Sequence, residues 1–234
     1  MSYSDTLTLS GTNCYLLKVR NGYLLIDCGS LHDKDGFLRK IKEIGIKPTD
    51  ICYLLLTHHH NDHCGLLELL TAANPQIKII MSRKCAEYMQ TGKHFRHDDE
   101  RYANQALHLI VGTYIRLGKN NSFNFTPYFA RETDILIQQD NESILPQLGI
   151  EGRILLTPGH TEDSISMVTG NSAYVGDAAR NLLNFTGAPY EPVLLYDRGT
   201  CRKSWQKLMA SGAEIIYPGH GRSFNMKNLA TSIE

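Results

Sequence analysis

Nothing in this 234-residue chain gives a bulk electrostatic pull: Lys plus Arg and Asp plus Glu stand at 24 each. A general attraction to nucleic acid or to an anionic membrane surface is therefore not expected, and any polyanion binding has to be local. Long apolar runs are missing too, since no stretch approaches the roughly 18 residues a membrane helix needs. Met1-Ser2-Tyr3-Ser4-Asp5 lacks the basic segment and apolar core of an export signal. A soluble cytoplasmic protein is the expectation. The six cysteines, Cys14, Cys28, Cys52, Cys64, Cys85 and Cys201, form no Cys-x-x-Cys pair. A chain of this length needs no covalent staples, and they read mostly as reduced thiols. Low-complexity tracts are absent. What remains is ordinary, 42% apolar and 21% charged, a composition that allows a real core and is read as one domain over 1–234.

The chain opens in sheet. Tyr15–Val19 and Tyr23–Ile26 flank Arg20-Asn21-Gly22, and Asn-Gly between apolar runs is a strong hairpin signal. Phe37, Leu38, Ile41 and Ile44 recur at helical spacing over 35–46, ended near Gly45. Ile51–Leu56 is a continuous apolar run of strand length, which predicts a strand covered on both faces. A helix over 66–73, a strand over 77–81 and a serine-capped helix over 82–89 follow. Between 91 and 131 the alternation breaks. Helical spacing predicts a helix over 98–117, with Tyr102, Ala106, Ile110 and Tyr114 on one face, before an irregular aromatic stretch over 120–128. This segment reads as an insertion. Strands return over 134–137 and 153–156, a hairpin over 164–175 turns at Gly170-Asn171, a helix covers 201–210, and a last strand 214–217. The organisation suggests two halves, and a pair of sheets with helices on both outer sides satisfies the order.

The densest chemistry is Thr57-His58-His59-His60-Asn61-Asp62-His63, immediately past the 51–56 run. Imidazoles at i and i+2 followed by an Asp-His pair suit a borderline cation such as zinc, which takes neutral imidazole nitrogen and carboxylate oxygen. Three further segments share a form: Thr157-Pro158-Gly159-His160, Val175-Gly176-Asp177 and Pro218-Gly219-His220. Each ends a strand in a glycine turn that carries one ligand-type residue. One such turn is incidental; four strand ends delivering His or Asp point to a joint metal site.

With those residues in place, the chain resembles the metallo-β-lactamase superfamily. Its His-x-His-x-Asp-His signature matches His58, His60, Asp62 and His63, and its later ligands match His160, Asp177 and His220. The resemblance implies a four-layer αββα sandwich. It implies one metal on His58, His60 and His160, a second on Asp62, His63 and His220, and Asp177 bridging both. Zinc is the expected ion, with iron or manganese as substitutes. Asp27 matches the acidic residue behind the metals in the family; on the residues alone it reads equally as a strand-end turn. Thr57 and Thr161 are candidates to support ligands through their hydroxyls. His59 is expected to point away from the metals. Cys64 reads as a small packing residue. His32, His94, His97 and His108 belong to no motif and read as surface or packing residues, with His94 and His97 singled out because Lys93-His94-Phe95-Arg96-His97 opens the insertion.

The implied chemistry is hydrolysis. Two cations that share a water lower its pKa from 15.7 to about 7, so a metal-bridged hydroxide attacks an ester-like bond and no side-chain nucleophile is needed. Asp62 is the candidate catalytic residue, orienting that nucleophile and accepting its proton. A small-molecule thioester, lactone, or other carboxylic or phosphate ester is the expected substrate. The alternative is an iron-dependent oxidoreductase of the same fold, of the persulfide-oxidising kind; the diiron flavoprotein branch carries glutamate where His60 stands. Nucleic-acid processing ranks lower, for want of basic excess or an added domain. The insertion reads as a lid or substrate wall, as its own aromatic core, or as the face of a homodimer, with packing favoured because aromatics bury large areas.

Overall fold

The computed structural model describes residues 4–94, 100–117 and 124–232. In chain order the elements are β1 (Ser4–Thr8), β2 (Asn13–Val19), β3 (Gly22–Ile26), α1 (Lys34–Glu43), β4 (Ile51–Leu55), α2 (Asn61–Cys64), α3 (Leu67–Ala73), β5 (Lys78–Ser82) and α4 (Arg83–Met89). There follow β6 (Arg101–Tyr102), α5 (Gln105–Leu117), β7 (Ile135–Ile137), α6 (Ile144–Leu148), β8 (Gly152–Leu156), β9 (Ile165–Thr169) and β10 (Ser172–Gly176). The last are β11 (Leu194–Leu195), α7 (Arg198–Met209), β12 (Ile215–Pro218), β13 (Phe224–Asn225) and α8 (Lys227–Ala230).

Two sheets carry the molecule, one ordered β1-β2-β3-β4-β5-β7 and the other β13-β12-β10-β9-β8. Side chains alternate across a strand, and here the alternation sorts them into three cores. Tyr15, Leu17, Leu24, Ile26, Leu55 and Ile80 of the first sheet meet Ile154, Ile165, Met167 and Tyr174 of the second between the sheets. Their neighbours Leu16, Leu25, Leu54, Ile79 and Met81 face outward onto Phe37 and Ile41 of α1, Leu67 and Leu70 of α3, and Cys85 and Met89 of α4. Leu155, Val168, Ala173, Val175 and Ile216 face outward on the other side, onto Cys201, Trp205 and Leu208 of α7 and Leu229 of α8. Helix, sheet, sheet, helix is the αββα order expected. Both faces of each central strand are buried, so β4 reads in sequence as an unbroken apolar run.

The two halves repeat one unit. In the first, the antiparallel pair β2–β3 is followed by α1 and by β4 laid parallel to β3. In the second, the pair β9–β10 is followed by α7 and by β12 laid parallel to β10. The residue directly after β3 is Asp27 and the residue directly after β10 is Asp177. His58 follows β4 and His220 follows β12, so one sheet end in each half presents a carboxylate beside an imidazole.

The expected helix over 98–117 is shorter than its periodicity suggests. Arg101 and Tyr102 pair as a strand with Leu195 and Leu194, and α5 starts only after Asn104, whose Oδ1 accepts from Leu107 N at 2.9 Å. Phe125 is buried on the outer face of the first sheet with Tyr128 against it. Tyr102, Ala103 and Leu107 pack instead onto the outer core of the second sheet. The described part of 91–131 thus packs on both outer cores. Expectations resting on Phe95, Arg96, His97 and Phe123 lie outside the described residues, as does the side chain of Tyr114. Among the described residues, no helix is long and apolar enough to cross a membrane.

Candidate metal centre

The loops leaving β4, β8, β10 and β12 converge at one end of the sandwich. His58, His60 and His160 bring three ring nitrogens within 4.8 Å of one another, as do the ligand atoms of Asp62, His63 and His220. A third set, His58, His63 and Asp177, overlaps both and lies between them. Asp177 Oδ1 is 3.3 Å from His63 Nε2, while its Oδ2 is 3.3 Å from His220 Nε2 and 3.6 Å from His160 Nε2. Asp62 Oδ2 lies 3.2 Å from His220 Nε2 and 3.8 Å from His63 Nε2. All seven residues singled out in the sequence therefore meet in one cluster, with Asp177 at its centre.

Close approach at this point depends on glycine. A Cβ on Gly219 would stand 2.5 Å from Asp177 Oδ1 and 2.6 Å from His63 Cε1. Gly176 has φ +50, and a Cβ there would collide with the Thr57 hydroxyl. Strand-end glycines are thus required by packing as well as by backbone turn.

The outer nitrogens settle which ring atom faces the centre. His63 Nδ1 donates to Asp27 Oδ2 at 2.8 Å, His160 Nδ1 to the Leu194 carbonyl at 2.8 Å, and His220 Nδ1 to the Gly11 carbonyl at 2.9 Å. Thr57 Oγ1 donates to Asp27 Oδ2 at 2.8 Å and so accepts from His58 Nδ1 at 3.0 Å. Each of these four imidazoles thereby carries a proton on Nδ1 and turns Nε2 inward, the arrangement of a metal-ligating histidine. The inward atoms His58 Nε2, His63 Nε2 and Asp177 Oδ1 are buried without a hydrogen-bond partner. Buried polar atoms are rarely left so, and a divalent cation would satisfy all three. The donor set fits zinc or a similar ion.

Asp27, left open between turn and support, supports. Its Oδ1 accepts from Thr57 N at 2.8 Å while Oδ2 takes both Thr57 Oγ1 and His63 Nδ1. Thr161 does not join it: its hydroxyl pairs with Ser164 Oγ at 2.7 Å. His59 turns away as expected, and its N and Nδ1 lie 2.9 and 3.0 Å from the carboxylate of Asp163. Asp163 went unread in the sequence, although an acidic residue three past His160 was a usable signal. Arg180 gave no signal. Its guanidinium is buried three residues past Asp177, with Nη2 donating to the Ala188 carbonyl at 3.1 Å. Burial lowers its pKa to about 10, against the opposing pull of Asp177 and Glu191.

Charge divides the cluster. Burial, then the neighbouring imidazoles, pushes His58 and His60 well below the usual histidine range, so both are neutral and ready to ligate. Burial also opposes charge on His63, yet Asp177, Asp62 and Asp27 outweigh it and raise His63 to about 10. His220 moves up against its burial through Asp177 and Asp62. Burial raises the carboxyls of Asp62 and Asp177; His63 and His220 overcome it and hold both below the ordinary range. Cation binding would displace the two shared protons.

A pH dependence follows for chelated protein. His63 holds its proton to about pH 10 in the fold and to about pH 6.5 in the unfolded chain. The folded value is the higher, so this stabilisation is complete below about pH 6.5 and is lost as pH rises through the folded value. The urea midpoint of chelated protein is expected to fall between pH 7 and pH 10 (roughly the span of those two values), and added zinc to flatten that slope. A level profile without metal would contradict the assignment.

The chain belongs to the metallo-beta-lactamase superfamily, whose family model matches residues 7–220. Members are metal-binding and generally hydrolytic, and the chain is metallo-hydrolase-like in fold and in its His/Asp cluster. Among curated relatives it is 26% identical to the uncharacterized protein YobT of Bacillus subtilis over 219 residues, spanning 90% of this chain and 83% of that one. It is 25% identical to the probable metallo-hydrolase YqjP of the same organism, across 88% of this chain and 66% of the relative. It is also 25% identical to the beta-lactamase-like protein 2 homolog of Drosophila melanogaster, of which it covers only 61%. Among solved structures, the superfamily protein ST1585 from Sulfolobus tokodaii aligns with a TM-score of 0.64 at 18% identity, over 99% of this chain and 84% of that one. A metallo-beta-lactamase of Cronobacter sakazakii aligns at 0.65 and 21% identity, over 93% and 75%. At such identities the likeness is one of fold.

Proposed function

We propose that the protein is a dinuclear metal-dependent hydrolase acting on an ester-like bond of a small molecule: a thioester, a lactone, or another carboxylic or phosphate ester. The observation that carries this reading is the pair of ligand triads, His58/His60/His160 and Asp62/His63/His220, joined by Asp177. His58, His60 and His160 would hold one cation, Asp62, His63 and His220 the other, with zinc first and iron or manganese as substitutes. The chemistry supplied by bound cations is Lewis acidity, which brings a water within reach of ionisation near neutral pH and polarises a carbonyl or phosphoryl oxygen.

The chain's own part is to place groups around that water. Asp62 is 37% exposed on its side chain against 15% for Asp177, so Asp62 is the carboxylate that meets solvent and substrate. Its Oδ2 would orient the nucleophile and accept its proton. Asp177 stays between the triads and holds them in register. Asp27 and the Leu194 and Gly11 carbonyls fix three imidazoles, so little reorganisation is needed when charge develops.

Elemental analysis of the purified protein is expected to give about two metals per chain, with turnover of at least one compound in a panel of esters, thioesters, lactones and phosphodiesters. Iron with oxygen consumption and no hydrolysis would sink the reading in favour of the oxidoreductase alternative.

A further inference from the structure

Four of the five candidate ligand imidazoles are held by a hydrogen bond on the outer nitrogen, from Thr57, Asp27, the Leu194 carbonyl or the Gly11 carbonyl. His60 is built differently. Its Nδ1 is the inward atom, 3.0 Å from His160 Nε2. Its outer Nε2 is buried and has no hydrogen-bond partner among the described residues. A ring with no hydrogen bond on its outer nitrogen relies on packing to keep its side-chain torsions, and rotation about them would take Nδ1 off the triad.

Packing replaces the missing hydrogen bond. The His94 ring lies on the His60 ring with centroids 3.7 Å apart and planes only 11° from parallel. His94 Nδ1 is 3.4 Å from Asn61 Oδ1, the side chain next in sequence to His60. At the edge of the His60 ring stands His59, 4.9 Å away at 71°, itself fixed by the two contacts to Asp163. His60 is thus held by one stacked ring, His94, and by the edge-on rings of His58, His59 and His160.

We propose that His94 is a positioning residue for His60, contributing to the metal centre by stacking rather than by ligation. This rests on the dinuclear reading above. Stacked aromatic pairs favour one mutual orientation strongly enough to shift an equilibrium several-fold, and loss of a group that orients a ligand typically weakens metal binding 10- to 100-fold. The role needs a flat ring at position 94 and does not need its nitrogens.

The test uses the full chain with zinc as the probe, competed against a chelator, for wild type, His94→Ala and His94→Phe. Alanine is expected to weaken binding at one of the two sites about tenfold, and phenylalanine to stay within about threefold of wild type. Cobalt-loaded protein should show an altered visible spectrum for His94→Ala and a wild-type spectrum for His94→Phe. Equal melting temperatures of the chelated proteins exclude a mere folding defect. Wild-type affinity in His94→Ala overturns the inference, as does a loss in His94→Phe equal to that in alanine. Should His94→Ala fail to fold, His94→Phe decides alone: near wild-type binding supports stacking, a tenfold loss removes it. A wild type that takes up no metal overturns the hydrolase reading together with this one, whereas metal uptake indifferent to position 94 overturns this one only.

Discussion

Asp177→Ala is expected to leave a folded protein that holds at most one cation, with its affinity lowered by more than the roughly 100-fold that follows loss of a mere supporting group. The reason is geometric. Among the described residues, Asp177 is the one whose two oxygens face both triads, reaching His63 with Oδ1 and His160 and His220 with Oδ2. Removing it also leaves His63 and His220 without the charge that does most to keep them protonated in the chelated state. Hydrolysis should fall with the metal content, and the two should be measured on one preparation. Two tightly held metals in the alanine variant would mean that the triads are independent and that Asp177 does not join them.

Asp27→Ala is expected to cost stability as well as metal. One carboxylate accepts from Thr57 N, Thr57 Oγ1 and His63 Nδ1, all at 2.8 Å and all buried. Breaking a buried pair by removing one partner costs about 3–5 kcal/mol, because the remaining groups have no water to turn to. Alanine is also strained by the backbone, since Asp27 sits at φ 56, a conformation that Asp and Asn tolerate better than most residues. The informative comparison is Asp27→Asn, which keeps the backbone preference and the volume and removes the charge facing His63. Chemical denaturation should place the asparagine variant between wild type and alanine. An alanine variant within about 1 kcal/mol of wild type would show that this network contributes little to folding.

The seven-residue cluster was legible because four members crowd into 58–63 just past β4 and the other three each follow a glycine at the ends of β8, β10 and β12, where sequence and chemistry point the same way. The sheets were legible for a related reason: Leu24, Leu25 and Ile26 divide between the inner and outer cores, and burial on both faces writes itself as an apolar run. The start of α5 was not. Helical spacing runs through Tyr102, yet that residue is claimed by Leu194, far along the chain, and a distant pairing leaves no local mark. Asp163 and Arg180 were missed because their partners, His59 and the Ala188 carbonyl, are set by the fold rather than by spacing. His94 was half-seen: it belonged to no motif and was singled out only for opening the insertion, and its stacking on His60 is set by the fold.

Thr12 pairs with His220, and the Asn13 side chain donates to the carbonyls of Pro218 and Gly221 across more than two hundred intervening positions. A ribosome releases residues 58–63 long before residue 220, so a growing chain displays four ligand groups while their counterparts are still unmade. The complete centre can form only after β12 has emerged and docked beside β10 and the loop after β1. Cation capture at full affinity, as proposed for this cluster, would then report that synthesis has reached the far end of the fold.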